Sequence, residues 1–248
     1  RQMKRVDLAL DPTKEFSSRE IANWEAAVEK LKTFIPIQYI IGHTEFFGLP
    51  FEVDPSVLIP RPETEELVQW ILSNQTNKSS NLRMLDIGTG SGCIAVALAK
   101  NLPQAGVHAI DVSEKALVIA KRNATRNAVA LNFIQKNILE TDDLCVQYDV
   151  IVSNPPYVRN LEKHEINKNV LDHEPHLALF VDDHDALIFY RKIADLAIKN
   201  LTEDGQLYFE INQYLGKETM DMLEQKGFSQ LELRADIYGN DRMILAKR

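Results

Sequence analysis

The stretch "DIGTGSGC" sets Gly88, Gly90 and Gly92, with Thr89 and Ser91 between them, directly after one apolar run and before another. Glycines there let the chain turn sharply and leave its peptide groups bare, so that a ligand can approach the backbone closely. The dinucleotide spacing G-x-G-x-x-G would need a glycine at position 93, where Cys93 stands, which argues against a nicotinamide cofactor. Asp111 follows Gly88 by 23 positions and ends the next apolar run. A carboxylate at that place accepts hydrogen bonds from both hydroxyls of an adenosine ribose. Loop and acid together outline a site for a nucleoside-bearing cofactor. Asp86, just ahead of the loop, either faces a cationic part of that cofactor or is satisfied by backbone N–H groups.

A second stretch, "VSNPPYV", residues 152–158, places an amide, two prolines and a tyrosine at the end of a run of β-formers. Pro155 and Pro156 fix φ and bring no N–H donors, so carbonyls near them can face a ligand without competition from those residues. Asn154 Oδ1 and one such carbonyl offer two acceptors to a single NH2 group, and Tyr157 is expected to give it an aromatic wall. An amino or amide nitrogen with a delocalised lone pair must be aimed at an electrophile such as a methyl group in line with its leaving group. Holding that geometry contributes up to roughly 7–11 kcal/mol, and the acceptors stabilise the positive charge that develops on nitrogen.

The elements that position these residues follow from periodicity. From Arg83 onward, short β-rich runs alternate with helical patterns over 91–100 and 113–127, the order that builds right-handed βαβ units around a parallel sheet. Asn154 then falls at the carboxyl edge of a strand, the side where such sheets bind ligands. Further helices are expected over 186–201 and 214–226, and two closely spaced final strands, separated by Gly239, Asn240 and Asp241, predict an antiparallel sheet edge. Upstream, "SSRE" gives a capping box from Ser17 to Glu20 and opens an amphipathic helix over 17–34 with Ile21, Trp24, Val28 and Leu31 on one face. After Pro36, "QYIIGHTEFFGLPFEV" reads as β-rich runs forming a hairpin. Pro62 begins a helix reaching about Ser73, followed by a polar linker over 73–80. The fold class is therefore α/β: a Rossmann-like, seven-stranded, mostly parallel sheet with an antiparallel edge. The expected divisions are a small helical domain over 1–35, a β-hairpin linker over 36–61 and the main domain over 62–248.

Composition narrows the setting. The 248 residues are 45% hydrophobic and carry a formal net charge of −8, which gives nucleic acid no general attraction. No run approaches 18 uninterrupted apolar residues and no signal peptide is evident, so a soluble, cytoplasmic protein without membrane association is expected, as a monomer. The opening "RQMKRVDLAL" reads as the middle of a helix, so the native start is expected upstream of Arg1. Cys93 and Cys145 show no metal or disulfide spacing and are expected as buried thiols. His164, His173, His176 and His184 lie among acids, but Pro175 breaks any paired helical ligand arrangement, so no metal is expected.

With "DIGTGSG", Asp111 and "NPPY" in place, the sequence resembles class I S-adenosylmethionine-dependent methyltransferases, and more closely the PrmC (HemK) family, which methylates the glutamine side-chain amide of peptide chain release factors. "PIQYIIGHTEFFG", residues 36–48, and "VLIPRPETE", residues 57–65, resemble the segment that joins the family's helical domain to its catalytic domain. The resemblance implies that residues 88–92 and Asp111 hold S-adenosylmethionine, with S-adenosylhomocysteine as product, and that Asn137 and Ile138 flank its adenine. It also implies that Asn154 and the Pro155 carbonyl grip the glutamine amide, with Arg61 and Glu63 helping to close the site. Class-1 release factors are then the expected substrate. The alternatives are glutamine methylation of a ribosomal protein and N6-adenine methylation of nucleic acid, which needs a basic face for the backbone around an extruded base. The segment "EPHLALFVDDHDAL", residues 174–187, departs from the family's glycine-bearing pattern, which leaves its loop shape open.

Overall fold

A computed structural model describes residues 5–11, 13, 15–75 and 81–248. Helices α1 (Arg5–Leu10) and α2 (Ser18–Lys32) come first. The predicted capping box is present: Ser17 Oγ accepts from the Glu20 N–H, and Glu20 Oε2 accepts from the Ser17 N–H at 2.9 Å. Ile21, Trp24, Val28 and Leu31 do share a face, and that face is exposed, Trp24 at 60%. Residues 37–41, expected as part of a β-rich run, instead form the single-turn helix α3 (Ile37–Ile41). The Pro36 carbonyl accepts from both Tyr39 and Ile40, and Gly42 at φ 78 ends the turn, so the punctuation at either end overrides the β-branched isoleucines.

The hairpin follows as β1 (His43–Phe46) and β2 (Leu49–Glu52), turning through Phe47 and Gly48, both at positive φ. It is anchored to the main body, because Phe46 and Phe51 are fully buried against α4 (Pro62–Gln75) in the core. Each such ring contributes about 2–3 kcal/mol of burial. Pro62 is the first helical residue, as expected, while the helix runs two residues past Ser73. The rest of the predicted polar linker, 76–80, lies outside the described residues.

The main body runs β3 (Arg83–Ile87), α5 (Cys93–Asn101), β4 (Gly106–Asp111), α6 (Glu114–Arg126), β5 (Asn132–Gln135) and β6 (Tyr148–Ser153). A loop region with β7 (Val158–Arg159), α7 (Lys168–His173) and β8 (Phe180–Val181) leads to α8 (Ile188–Asn200), β9 (Leu201–Glu210), α9 (Gly216–Gln225), β10 (Ser229–Ala235) and β11 (Asp241–Lys247). The seven-stranded sheet has the order β10-β11-β9-β6-β3-β4-β5, parallel except where β11 pairs with β9 and β10. The α/β class and the antiparallel edge are thus as the sequence predicted. Alternation sends Met84 and Val150 into the layer formed with α4 and α5, and Leu85 and Ile151 into the layer with α8 and α9. The chain steps from β3 outward to β5 and then returns to β6 on the other flank of β3. The loops after β3 and β6 therefore part from each other and open a crevice at the carboxyl edge.

The thiols differ from expectation. Cys93 is half-buried, but Cys145 is exposed, because it occupies a turn before β6 at φ 59, held by its N–H to Asp143 Oδ1 at 2.6 Å. Among the described residues no helix is long and apolar enough to cross a membrane. The 174–187 segment is shaped by short helical turns at His176–Ala178 and Asp183–Asp185 and by the parallel pairing of β8 with β7.

Candidate active site

A cleft of about 1170 Å³, counting the space at its mouth, lies at the carboxyl ends of β3, β4 and β6. The glycine loop forms its floor. Gly88 and Thr89 donate from their backbone N–H groups to the Ile110 carbonyl at 2.8 and 3.0 Å, which fastens the loop to the end of β4. Gly88, Gly90 and Gly92 have φ of 76°, 54° and 81°, the left-handed region that side chains resist.

Asp111 stands beside the loop. Its Oδ2 accepts from the Gly90 N–H at 2.8 Å and its Oδ1 from the Ser113 N–H at 2.9 Å. A carboxylate has about four acceptor sites, so each oxygen keeps capacity for a hydroxyl. Burial pushes the Asp111 pKa up, against the pull of these backbone donors. Asp86 is only 1% exposed and is absent from the cleft lining; its Oδ2 accepts from the Thr89 hydroxyl at 2.6 Å, while Oδ1 has no hydrogen-bond partner. Burial raises its pKa to about 7. Asn137 and Ile138 both line the cleft; Asn137 Oδ1 accepts from the Leu139 N–H at 3.1 Å, and Ile138 is also packed into the core.

The corner after β6 meets the loop directly. Ser153 Oγ donates to the Ile87 carbonyl at 2.7 Å, and the Asn154 carbonyl is so near Gly88 that an added Cβ would lie 4.0 Å from it. Asn154, Pro155 and Pro156 line the same cleft as Gly88, Ser91 and Asp111. Tyr157 does not act as the expected wall. It is absent from the cleft lining, its ring packs on the core, and its hydroxyl donates to Glu210 Oε1 at 3.3 Å. The buried Glu210 carboxylate supplies the acceptor that the phenol needs once its ring is packed on the core. Burial and the neighbouring Glu210 charge drive the phenol pKa well above its ordinary range.

Arg61 lines the cleft and pairs with the buried Glu174, at 2.6 Å to Oε1; Glu174 Oε2 also accepts from the Ile59 N–H at 3.1 Å. The 57–61 segment is thereby clasped to the segment at 174. Glu63, expected to help close the site, is half-exposed and is not in the lining. His164, His173 and His176 each place a ring nitrogen 2.8–2.9 Å from a backbone carbonyl, of Leu161, Thr33 and Leu171 respectively. Two site residues escaped the sequence reading. Thr64 lines the cleft and donates to Glu210 Oε2 at 2.6 Å, and Asn154 Nδ2 donates to Thr64 Oγ1 at 3.4 Å. The available signal for Glu210 was an acid ending an apolar strand, "LYFE"; for Thr64, a hydroxyl one turn into a helix whose start faces the cleft.

Residues 65–177 match the model of the methyltransferase small domain, and residues 1–42 match that of the PrmC N-terminal domain. The release factor glutamine methyltransferase of Flavobacterium psychrophilum is 62% identical over 245 residues, covering 98% of this chain and 86% of that protein. The chain belongs to the release factor glutamine methyltransferase family. The family member from Bacteroides thetaiotaomicron is 46% identical over 243 residues, covering 98% of this chain and 84% of its own length. In fold, this family member is similar to the crystal structure of a ribosomal protein L11 methylase from Lactobacillus delbrueckii subsp. bulgaricus. That likeness has a TM-score of 0.53 and 24% identity over 79% of this chain and 82% of the other.

Proposed function

We propose that this methyltransferase transfers a methyl group from S-adenosylmethionine to the side-chain amide nitrogen of a glutamine in a class-1 peptide chain release factor. The observation that carries the reading is that Asn154, Pro155 and Pro156 line one cleft with the glycine loop and Asp111. The residues fit the cofactor: a glycine cradle and the paired oxygens of Asp111 for ribose hydroxyls, with Asp86 buried behind the loop as the negative charge assigned to its cationic part. Asn137 and Ile138 supply the flanks for its adenine. When bound, the cofactor supplies an electrophilic methyl group on a sulfonium.

The protein's own contribution is orientation. Asn154 Oδ1 and the Pro155 carbonyl accept the two N–H groups of the substrate amide, which fixes the nitrogen and stabilises the positive charge it gains. Pro156 stiffens the corner, and Tyr157 braces it from behind through Glu210. Arg61, clasped to Glu174, holds the 57–61 segment against the cleft, while Glu63 stands beside it at the helix start. Residues 1–35 are assigned to a helical domain that grips the protein substrate, 36–61 to a hairpin linker and 62–248 to the catalytic domain.

The test is incubation with isotopically labelled S-adenosylmethionine and, separately, a class-1 release factor, the same factor with its loop glutamine replaced, and duplex DNA. Label is expected on the intact factor alone. Undiminished label on the replaced factor, or label confined to DNA, overturns the assignment. Asn154→Ala is expected to lower turnover about 100- to 1000-fold, a loss on the scale of a removed transition-state contact, while calorimetric affinity for S-adenosylhomocysteine stays within about twofold.

A further inference from the structure

Asn154 serves as an acceptor only if its amide is turned the right way, and a free amide turns both ways. Thr64 carries a single hydroxyl proton. Glu210, fully buried at the end of β9, accepts a hydrogen bond from the Thr64 hydroxyl at 2.6 Å, which directs that proton away from Asn154. Thr64 then presents lone pairs only to Asn154, so the amide must show Thr64 its NH2 group, as the 3.4 Å contact from Nδ2 has it. The carbonyl Oδ1 is left for the cleft. Around Glu210 stand the Tyr157 hydroxyl on Oε1, the Arg242 guanidinium as counter-charge, the Glu63 carboxylate, and the Tyr190 hydroxyl on its backbone carbonyl. Burial pushes the Glu210 pKa up, against the pull of the Thr64 hydroxyl, Arg242 and Tyr157; with Thr64 and Tyr157 both donating to it, the ionised Glu210 acts as an acceptor on both oxygens.

We infer that Glu210 and Thr64 form a proton-polarity relay that locks Asn154 with its carbonyl toward the substrate, and so make the enzyme choose an amide NH2 over a carboxylate. The two are positioning residues, acting through Asn154. The inference rests on the proposed glutamine substrate and adds the basis for telling glutamine from glutamate. Glutamate offers an oxygen where glutamine offers NH2, and two acceptors facing each other across a buried contact leave both unpaired.

The relay is tested by binding rather than turnover. The enzyme loaded with S-adenosylhomocysteine is titrated with an intact class-1 release factor and with the same factor carrying glutamate for its loop glutamine. Wild type is expected to bind the glutamine form at least about tenfold tighter. In Thr64→Val, close in shape but without a hydroxyl, the Asn154 amide is free to turn, and the ratio is expected to fall to about twofold or less. Thr64→Ser keeps the hydroxyl and should restore the wild-type ratio. Glu210→Ala frees the Thr64 proton and should collapse the ratio as Thr64→Val does; where it fails to fold, the two Thr64 variants decide alone. Discrimination by Thr64→Val equal to wild type, or its collapse in Thr64→Ser, overturns the relay. A wild-type enzyme that methylates its release factor but whose Thr64→Val variant still discriminates loses only the relay. One that transfers no methyl group to the factor loses the proposed function and the relay together.

Discussion

Asp86 carries a carboxylate oxygen with no hydrogen-bond partner in a place that is only 1% exposed. Burial lifts its pKa from 3.8 to about 7. Between those values the folded protein holds a proton that the unfolded chain has released, so stability falls as pH rises through that window, and the loss is complete above about pH 7. Asp86→Asn removes the charge and keeps the shape. It is expected to raise the Tm at pH 8 by about 4–8 °C, as a gain of roughly 2 kcal/mol does in a chain of this size, and to leave the Tm near pH 4 unchanged. On the proposed assignment of Asp86 to the cationic part of the cofactor, the same substitution should weaken S-adenosylmethionine binding. Calorimetry across pH 6–8 checks both halves: wild-type affinity should climb as Asp86 ionises, and Asp86→Asn should be flat. Stability and affinity moving together would remove the idea that this buried charge is kept for the ligand.

The turn between β3 and α5 separates two kinds of glycine. At Gly92, φ is 81° and an added Cβ would lie 3.1 Å from the Ala120 Cβ and 3.3 Å from its Cα, where α6 passes closely. At Gly90 nothing lies within 4 Å. Gly92→Ala is therefore expected to cost about 2–4 kcal/mol, from left-handed backbone strain and overpacking together, and Gly90→Ala only the strain of about 1–2 kcal/mol. Urea melts of both variants measure the difference; equal losses would mean that the α5–α6 approach does not depend on Gly92. These glycines were readable in advance because a turn is set by residues adjacent in sequence. The single turn of α3 was misread for a related reason: the isoleucines spoke for strand, while Pro36 and Gly42 decided for helix. Tyr157 was unreadable in kind, since the acceptor for its hydroxyl is Glu210, 53 positions later and brought beside it by the parallel pairing of β6 with β9. The same pairing, with Ser153 opposite Phe209, places Asn154 next to Glu210 and makes the relay possible.

Among the described residues, the N-terminal region has few ties to the dense sheet unit that it precedes. The sheet, its two helical layers and the carboxyl-edge cleft were legible, because strand–helix alternation fixes the topology of a parallel sheet almost by itself. The docking of the hairpin was not, since only the packed structure reveals that Phe46 and Phe51 belong to the main core. Helix α2 buries none of its residues, and its apolar face, with Ile21 at 49% and Trp24 at 60%, remains exposed among the described residues. The ties seen between the end of that region and the main body are His173 Nε2 with the Thr33 carbonyl and the Lys168 ammonium 4.6 Å from the Phe34 ring centre. Exposed contacts of these kinds are worth about 1 kcal/mol each. Removing residues 1–35 is therefore expected to change the Tm of the sheet unit by roughly 8 °C or less and the affinity for S-adenosylhomocysteine by less than about twofold. If the helical region grips the protein substrate, KM for the intact release factor should rise about tenfold or more, the loss of some 1.4 kcal/mol of binding, while methylation of a short peptide carrying the loop glutamine stays within about twofold. An unchanged KM for the intact factor would assign its recognition to the cleft rim instead, where Arg61 and Glu174 clasp the segment leading into α4.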